Sequence, residues 1–209
     1  MPGFKDILKK TKEAAAKGLK YMAEAAEFQK MVSDFDELVG SIIVDILQNY
    51  GYRSMSMKES GDYFQVRLTT DNIEPLKHII DRDVMRHFSY KDRQKIKNVM
   101  VDEIIVNILY RSKRRQQATL ATLVEAAMGA GKLQEDVQIT AKLKYFVEKE
   151  GGLIFKGIKR VDRTVDLGSF SFPSKKYIDY ENKQVLLDEL RQYLEEKLKA
   201  IGLIPPQKQ

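Results

Sequence analysis

"YFQVRL", residues 63–68, alternates apolar and polar side chains with the period of a half-buried β-strand. Phe64, Val66 and Leu68 would face a core, and the residues between them would face the other side of the strand. A turn-forming segment, "KESGD", separates this strand from an earlier extended run, so we predict a β-hairpin over residues 52–68. Because a two-stranded hairpin is not stable alone, we expect a helix to cover its apolar side.

Apolar side chains spaced by three and four residues predict helices along most of the remaining chain. The helix that precedes the hairpin is the nearest candidate to cover it. The longest pattern begins at Ser89 and stops at Gly129, either as one helix or as two that break near Ser112 or Gln117. The predicted helices cover residues 4–30, 33–51, 73–88, 89–128, 136–151 and 181–202.

The order of these elements predicts the fold class and the domains. We expect an α+β fold that is predominantly α-helical, in which the helices pack with the hairpin and with a second small β-element near residues 153–172. Residues 1–30 are predicted to form a basic amphipathic helix, and residues 31–209 a globular body. An alternative divides that body into two lobes, 31–90 and 91–209.

The composition is that of a chain that folds. The 209 residues are 43% hydrophobic and 32% charged, and no apolar run approaches the roughly 20 residues that span a bilayer. The chain has no cysteine, which excludes disulfides, thiol catalysis and thiolate metal sites. A reducing compartment fits that composition, so we expect a cytoplasmic location.

Charge is unevenly distributed along the chain. The formal net charge is +6, and the basic excess lies in three segments, residues 1–30, 91–117 and 151–180. Residues 91–117 are the most basic, with eight Lys and Arg against three acids, whereas residues 31–90 carry six bases against ten acids. Concentrated positive charge attracts phosphate or an anionic membrane surface, and it also occurs on soluble proteins that bind neither.

The densest basic cluster is "YRSKRRQQ", residues 110–117. On the predicted helix the three arginines share a face, and the lysine points elsewhere. The guanidinium fork suits phosphate oxygens, so the cluster is a candidate nucleic-acid contact, and the alternative is pairing with acids of residues 31–90. The candidate residues are Tyr110, Arg111, Lys113, Arg114 and Arg115.

A second candidate surface interleaves cations with the rings of Phe155, Phe170, Phe172 and Tyr177. Such alternation can hold phosphates and stack bases, and it is equally typical of a β-surface that has one core face. The cations are Lys156, Lys159, Arg160, Arg163, Lys175 and Lys176.

Other motifs give little support to a specific chemistry. "GAGK", residues 129–132, lacks the earlier glycine and the following Ser or Thr of a phosphate-binding loop. His78 and His87 do not have the spacing of a helical metal pair. Asp81 and Asp83 fall two residues apart on a predicted helix, so they are expected to be solvated acids on different faces.

One arrangement resembles the layout of a metal-dependent nuclease. Glu37 lies in a helix, Asp62 between two strands, and Gln65 and Arg67 on the second strand. Such chemistry needs carboxylates that hold Mg²⁺ and a cation beside the scissile phosphate, and here an arginine stands where a lysine would serve. Ordinary hairpin polarity explains the same residues.

These observations favour a non-enzymatic nucleic-acid-binding or accessory protein, with DNA or RNA contacted mainly through the phosphate backbone. The alternative is a protein-interaction module, an adaptor or scaffold that docks through residues 4–30, and a metal-dependent nuclease ranks third. No cofactor, metal or small-molecule substrate is inferred. Membrane binding is not expected, because the apolar side of residues 4–30 is mostly alanine after residue 13.

Overall fold

The computed structural model describes residues 35–61, 63–110, 136–151, 157–179, 182 and 184–205. The chain divides into two compact units, Met1–Leu38 and Val39–Gln209. Of the first unit only residues 35–38 are described, and they are helical. The predicted helix at residues 4–30 and the predicted boundary at residue 30 lie outside the described residues and stay predictions.

The elements of the second unit begin with a helix and a hairpin. Helix α1 covers residues 35–48, of which 39–48 belong to this unit. The hairpin consists of β1 (Arg53–Ser60) and β2 (Tyr63–Thr69). A 3₁₀ turn (Glu74–Leu76) then leads into α2 (Lys77–His87) and the short α3 (Tyr90–Arg93).

Three long strands follow. They are β3 (Ile96–Tyr110), β4 (Val137–Glu150) and β5 (Ile158–Phe172). A second 3₁₀ turn (Ser174–Lys176) precedes a two-residue strand pair, β6 (Ile178–Asp179) and β7 (Gln184–Val185), and then helix α4 (Leu187–Ala200).

The expectation of a predominantly helical fold is wrong. Of the described residues, 46% lie in strands and 36% in helices. The first five strands form one antiparallel sheet in the order β1-β2-β3-β4-β5. The main errors are the helices predicted over residues 89–128 and 136–151, because residues 96–110 and 137–150 are long strands.

The physical reason differs between the two strands. The second half of β3, a central strand, is buried on both faces, so Ile104, Ile105 and Val106 are all buried and the apolar run shows no alternation. Such a run resembles a buried helix in the sequence. In β4, apolar residues recur at every second position from Val137 to Val147, and each of these side chains is buried. That period of two predicts a strand, and the helical interpretation overlooked it.

The predicted hairpin at residues 52–68 is confirmed, since β1 and β2 pair antiparallel. Phe64, Val66 and Leu68 are buried, at 7%, 0% and 0% exposure. Helix α1 covers them so closely that a Cβ at Gly40 would lie 2.6 Å from Cε1 of Phe64. The expected helix over the apolar side of the hairpin is therefore present, and glycine permits its close approach.

The described helices of the second unit lie on one face of the sheet. Asp83 of α2 contacts Tyr145 of β4, and the ring of Tyr193 of α4 meets that of Phe172 of β5 with centroids 5.3 Å apart. Tyr50, in the turn after α1, donates its hydroxyl hydrogen to Glu195 of α4 at 3.0 Å. The face of the sheet opposite these helices carries the alternate residues of each strand.

Two of the predicted helices are present, but each begins later than predicted, at Lys77 instead of residue 73 and at Leu187 instead of residue 181. The helices predicted at 73–88 and 181–202 correspond to α2 and α4. Asn72 accepts a hydrogen bond from the Glu74 amide at 3.1 Å, at the start of the 3₁₀ turn that precedes α2. The second β-element, predicted near residues 153–172, corresponds to β5, a strand of 15 residues. The alternative of two lobes places β2 in residues 31–90 and β3 in residues 91–209. These two strands pair, so residues of both ranges belong to one sheet.

Candidate nucleic-acid interface

The densest predicted cluster lies largely outside the described residues. Arg111, Lys113, Arg114 and Arg115 follow directly after β3, in a segment that the structure does not describe, and Lys156 falls in a second such segment. The nucleic-acid role of these five cations stays a prediction.

Tyr110 is the last described residue before that cluster, and it is buried. It is 2% exposed, and its hydroxyl lies 3.0 Å from Oγ of Ser174, which also donates to Asp136 at 2.7 Å. The ring is part of the core at the end of β3 and cannot stack on a base. The expectation that Tyr110 contacts nucleic acid is therefore corrected.

A carboxylate holds the half-buried side chain of Arg163. Its Nε donates to Oδ2 of Asp83 at 2.9 Å and its Nη2 donates to Oδ1 at 3.2 Å, which is the two-pronged geometry of a strong ion pair. The Tyr145 hydroxyl donates to the same carboxylate at 2.7 Å. Since its fork is occupied, Arg163 supports the packing of α2 on the sheet and is not available to phosphate.

Asp83 was expected to be a solvated acid, and this expectation is wrong. Its side chain is only 10% exposed. Burial by itself would raise the pKa of Asp83, but hydrogen bonds from Arg163 and Tyr145 and the charges of Arg163 and His87 outweigh it and hold the pKa below its ordinary value. Burial also raises the pKa of the Tyr145 hydroxyl, so it remains a donor. Asp83 is thus an ionised anchor for α2.

The remaining predicted cations lie at opposite ends of β5. Lys159 and Arg160 are near its beginning, and Lys175 and Lys176 follow its last residue. β5 contains 15 residues, and at about 3.3 Å per residue the two pairs are roughly 45 Å apart along the strand. They cannot form one compact site.

Strand register brings other cations to Lys159 and Arg160. Lys159 lies opposite Lys149 of β4, which in turn lies opposite Ile96 at the beginning of β3. The Glu150 amide donates to the Lys95 carbonyl at 3.0 Å, which holds the segment after α3 against the end of β4. We call this region the basic end of the sheet; it comprises Arg86, Lys91, Arg93, Lys95, Lys97, Lys149, Lys159 and Arg160.

Part of the charge at the basic end is neutralised locally. Three ion pairs occur there, Lys97–Glu150 at 2.8 Å, Lys149–Asp92 at 2.7 Å and Arg160–Asp162 at 2.7 Å. The hydrogen bond from Lys149 lowers the pKa of Asp92, and that from Lys97 lowers the pKa of Glu150, so both acids are ionised at neutral pH.

Five cations of the basic end make no ion pair within the described part of the chain. All are at least partly exposed, and they come from α2, α3, the loop before β3, and β5. Cations that make no ion pair leave a positive field that attracts polyanions. Acids lie close to one of the five, since the charge of Lys95 contributes to lowering the pKa of Asp92 and of Glu150. These five are Arg86, Lys91, Arg93, Lys95 and Lys159.

One exposed ring, Tyr90, accompanies these cations. Tyr90 is 68% exposed, and the Arg93 guanidinium lies 5.9 Å from its ring centroid. The Arg160 guanidinium lies 3.8 Å from the centroid of Phe146, but that pair lies on the face of the sheet opposite the helices, since Tyr145 next to it points toward α2. The basic end therefore offers both phosphate-binding charge and aromatic surface, which together are typical of nucleic-acid-binding proteins.

The described residues of the predicted nuclease layout do not form a metal site. Gln65 donates to Asn107 at 2.9 Å and accepts from Arg67 at 2.8 Å, so both side chains belong to a polar network on the sheet. Glu37 belongs to the first unit, and Asp62 lies outside the described residues. Among the residues that are described, no three His, Asp or Glu side chains are grouped as a metal site.

No protein family, curated protein or solved structure shows significant similarity to this chain. In the part of the chain that the structure describes, no helix is long and apolar enough to cross a membrane. The fold and the site define an antiparallel sheet with helices on one face and a basic end. Function is therefore argued from the geometry of that end.

Proposed function

We propose that this protein binds nucleic acid, without catalysing a reaction, through the basic end of its sheet. The observation that carries the proposal is the convergence of five unpaired cations from four segments on one end of the sheet, beside an exposed tyrosine. A phosphate backbone is the polyanion that matches such a surface, since Lys and Arg that replace its counterions gain affinity by releasing them.

The affinity that arises in this way depends steeply on salt. The logarithm of the binding constant falls linearly with the logarithm of salt concentration, and each contact contributes about 0.7 to the slope on a single strand. Removal of a lysine that contacts phosphate therefore flattens the slope by a known amount. Removal of a lysine elsewhere leaves it unchanged.

The test compares two double variants with equal loss of charge. Lys95→Gln with Lys159→Gln removes two cations of the basic end, and Lys175→Gln with Lys176→Gln removes two from the other end of β5. The probe is a labelled single strand of about 15 nucleotides, close to the site sizes of known single-strand binders. Fluorescence anisotropy is measured over a series of salt concentrations.

The first variant is expected to bind more weakly than the unaltered protein and to lose up to about 1.4 from the slope, about 0.7 for each contact. The second is expected to keep the original slope. Both should unfold at the temperature of the unaltered protein, since all four lysines are exposed. An unchanged slope in the first variant, or a loss only in the second, would overturn the proposal.

The alternative of a protein-interaction module depends on residues 4–30, which lie outside the described residues. It stays a prediction.

A further inference from the structure

A groove of about 420 Å³ opens beside the basic end, between α2 and the first residues of β3. Two polar side chains, Asp81 and Arg93, line it, and the remaining lining is apolar. The apolar lining residues are Ile80, Val84, Met85, Ile96 and Val99.

Apolar surface at the rim of this groove is exposed to solvent. Met85 is 66% exposed, and Tyr90 is 68% exposed. Arg93 connects the two features, because it lines the groove and also lies over the ring of Tyr90. An exposed apolar rim that adjoins unpaired cations fits a ligand with negative charge and flat apolar faces.

From this arrangement we infer that the nucleic acid bound at the basic end is single-stranded and that one of its bases enters the groove. The inference rests on the proposed function. In a duplex the faces of the bases are stacked on one another, so only phosphate and groove edges are offered. A single strand can turn a base outward, stack it on a ring such as Tyr90 and leave its phosphates to the cations.

The two polar residues of the groove suit the edge of a base. The Asp81 carboxylate can accept hydrogen bonds from an amino group, and the Arg93 guanidinium can donate to a carbonyl or ring nitrogen. The apolar lining matches the faces of the base. An acidic peptide would satisfy the cations but would leave the flat apolar rim without a complementary surface.

The experiment removes the exposed rim and keeps the cations. Met85→Ala with Tyr90→Ala is measured against a single strand of about 15 nucleotides and against a duplex of the same length, again over a series of salt concentrations. Because both side chains are mostly exposed, the variant is expected to fold. The controls are Tyr90→Phe, which keeps the ring, and Met55→Ala, which removes a methionine that is 57% exposed on β1.

The double variant is expected to bind the single strand at least fivefold more weakly, since stacking on one ring contributes about 1–3 kcal/mol for each base. Its duplex affinity and its salt slope should equal those of the unaltered protein, because the cations remain. Both controls should bind the single strand normally. Single-strand binding that is unchanged, or that falls together with duplex binding, would overturn the inference.

The outcomes separate the two proposals. If Lys95 and Lys159 determine the salt slope but the rim variant binds the single strand normally, the inference fails and the proposed function stands. If the slope does not depend on those lysines, the proposed function fails. Polyglutamate provides a further arm, since it has charge but no bases. If the rim substitutions weaken the binding of polyglutamate, the groove is assigned to an acidic peptide and the inference is contradicted.

Discussion

Val66→Asp is expected to destabilise the fold by about 4 kcal/mol or more, since it buries a carboxylate that has no partner. Val66 is 0% exposed, and it lies between Met57 of β1 and Val106 of β3. A Cβ at Gly40 of α1 would lie only 3.2 Å from its Cγ2, so the side chain is enclosed by helix and sheet. Urea unfolding followed by circular dichroism measures the loss.

The matched control for that variant is Lys58→Asp, which introduces the same carboxylate at an exposed position of the neighbouring strand. Its cost should be within about 0.5 kcal/mol, as for most surface substitutions. A loss at Val66 of less than about 1 kcal/mol would contradict the strand register, because a shift of one residue moves Val66 to the other face of the sheet.

The second large effect is expected at the ion pair between α2 and the sheet. Arg163→Met keeps most of the side-chain volume. It leaves the Asp83 carboxylate charged, only 10% exposed and without the Arg163 guanidinium. Breaking a buried pair costs 3–5 kcal/mol, and partial exposure of Arg163 reduces this to about 2–3 kcal/mol. Arg160→Met is the matched control, since its pair with Asp162 is exposed and contributes about 1 kcal/mol or less.

The loss of unfolding free energy in Arg163→Met should depend on pH. The folded protein holds the pKa of Asp83 below the ordinary value of 3.8, so the ion pair contributes its full stability above that pH. As the pH falls below 3.8, the carboxylate takes up a proton and the contribution disappears. The difference in unfolding free energy between variant and unaltered protein should therefore be constant near neutral pH and shrink in acid. A difference that does not vary with pH would show that Arg163 acts through packing alone.

How far the sequence predicts the fold depends on how each element is buried. β2 and α4 each have one buried and one exposed side, so their periods of two and 3.6 are legible. The second half of β3 is buried on both faces by partners that are distant in the chain, and no local pattern distinguishes it from a buried helix. The error on β4 was avoidable, because its alternation is regular over eleven residues, from Val137 to Val147.

The site was partly predictable for the same reason. Lys159 and Arg160 were identified as cations of a candidate surface, but Lys95 and Lys149 were not associated with them. These residues come from separate segments and meet only through the register of β3, β4 and β5. The signal that would have found Lys149 is the glycine-containing segment after β4. If it is taken as a connection between two antiparallel strands, Lys149 and Lys159 come to lie opposite each other.

Lysine footprinting distinguishes nucleic acid bound at the basic end from nucleic acid bound elsewhere. Exposed lysines are acetylated with and without a saturating single strand of about 15 nucleotides, and modification at each lysine is quantified by mass spectrometry. We expect bound nucleic acid to protect Lys91, Lys95 and Lys159 and to leave Lys175 and Lys176 as reactive as in the free protein. Protection of Lys175 and Lys176 alone, or binding that protects none of the basic-end lysines, would contradict this expectation.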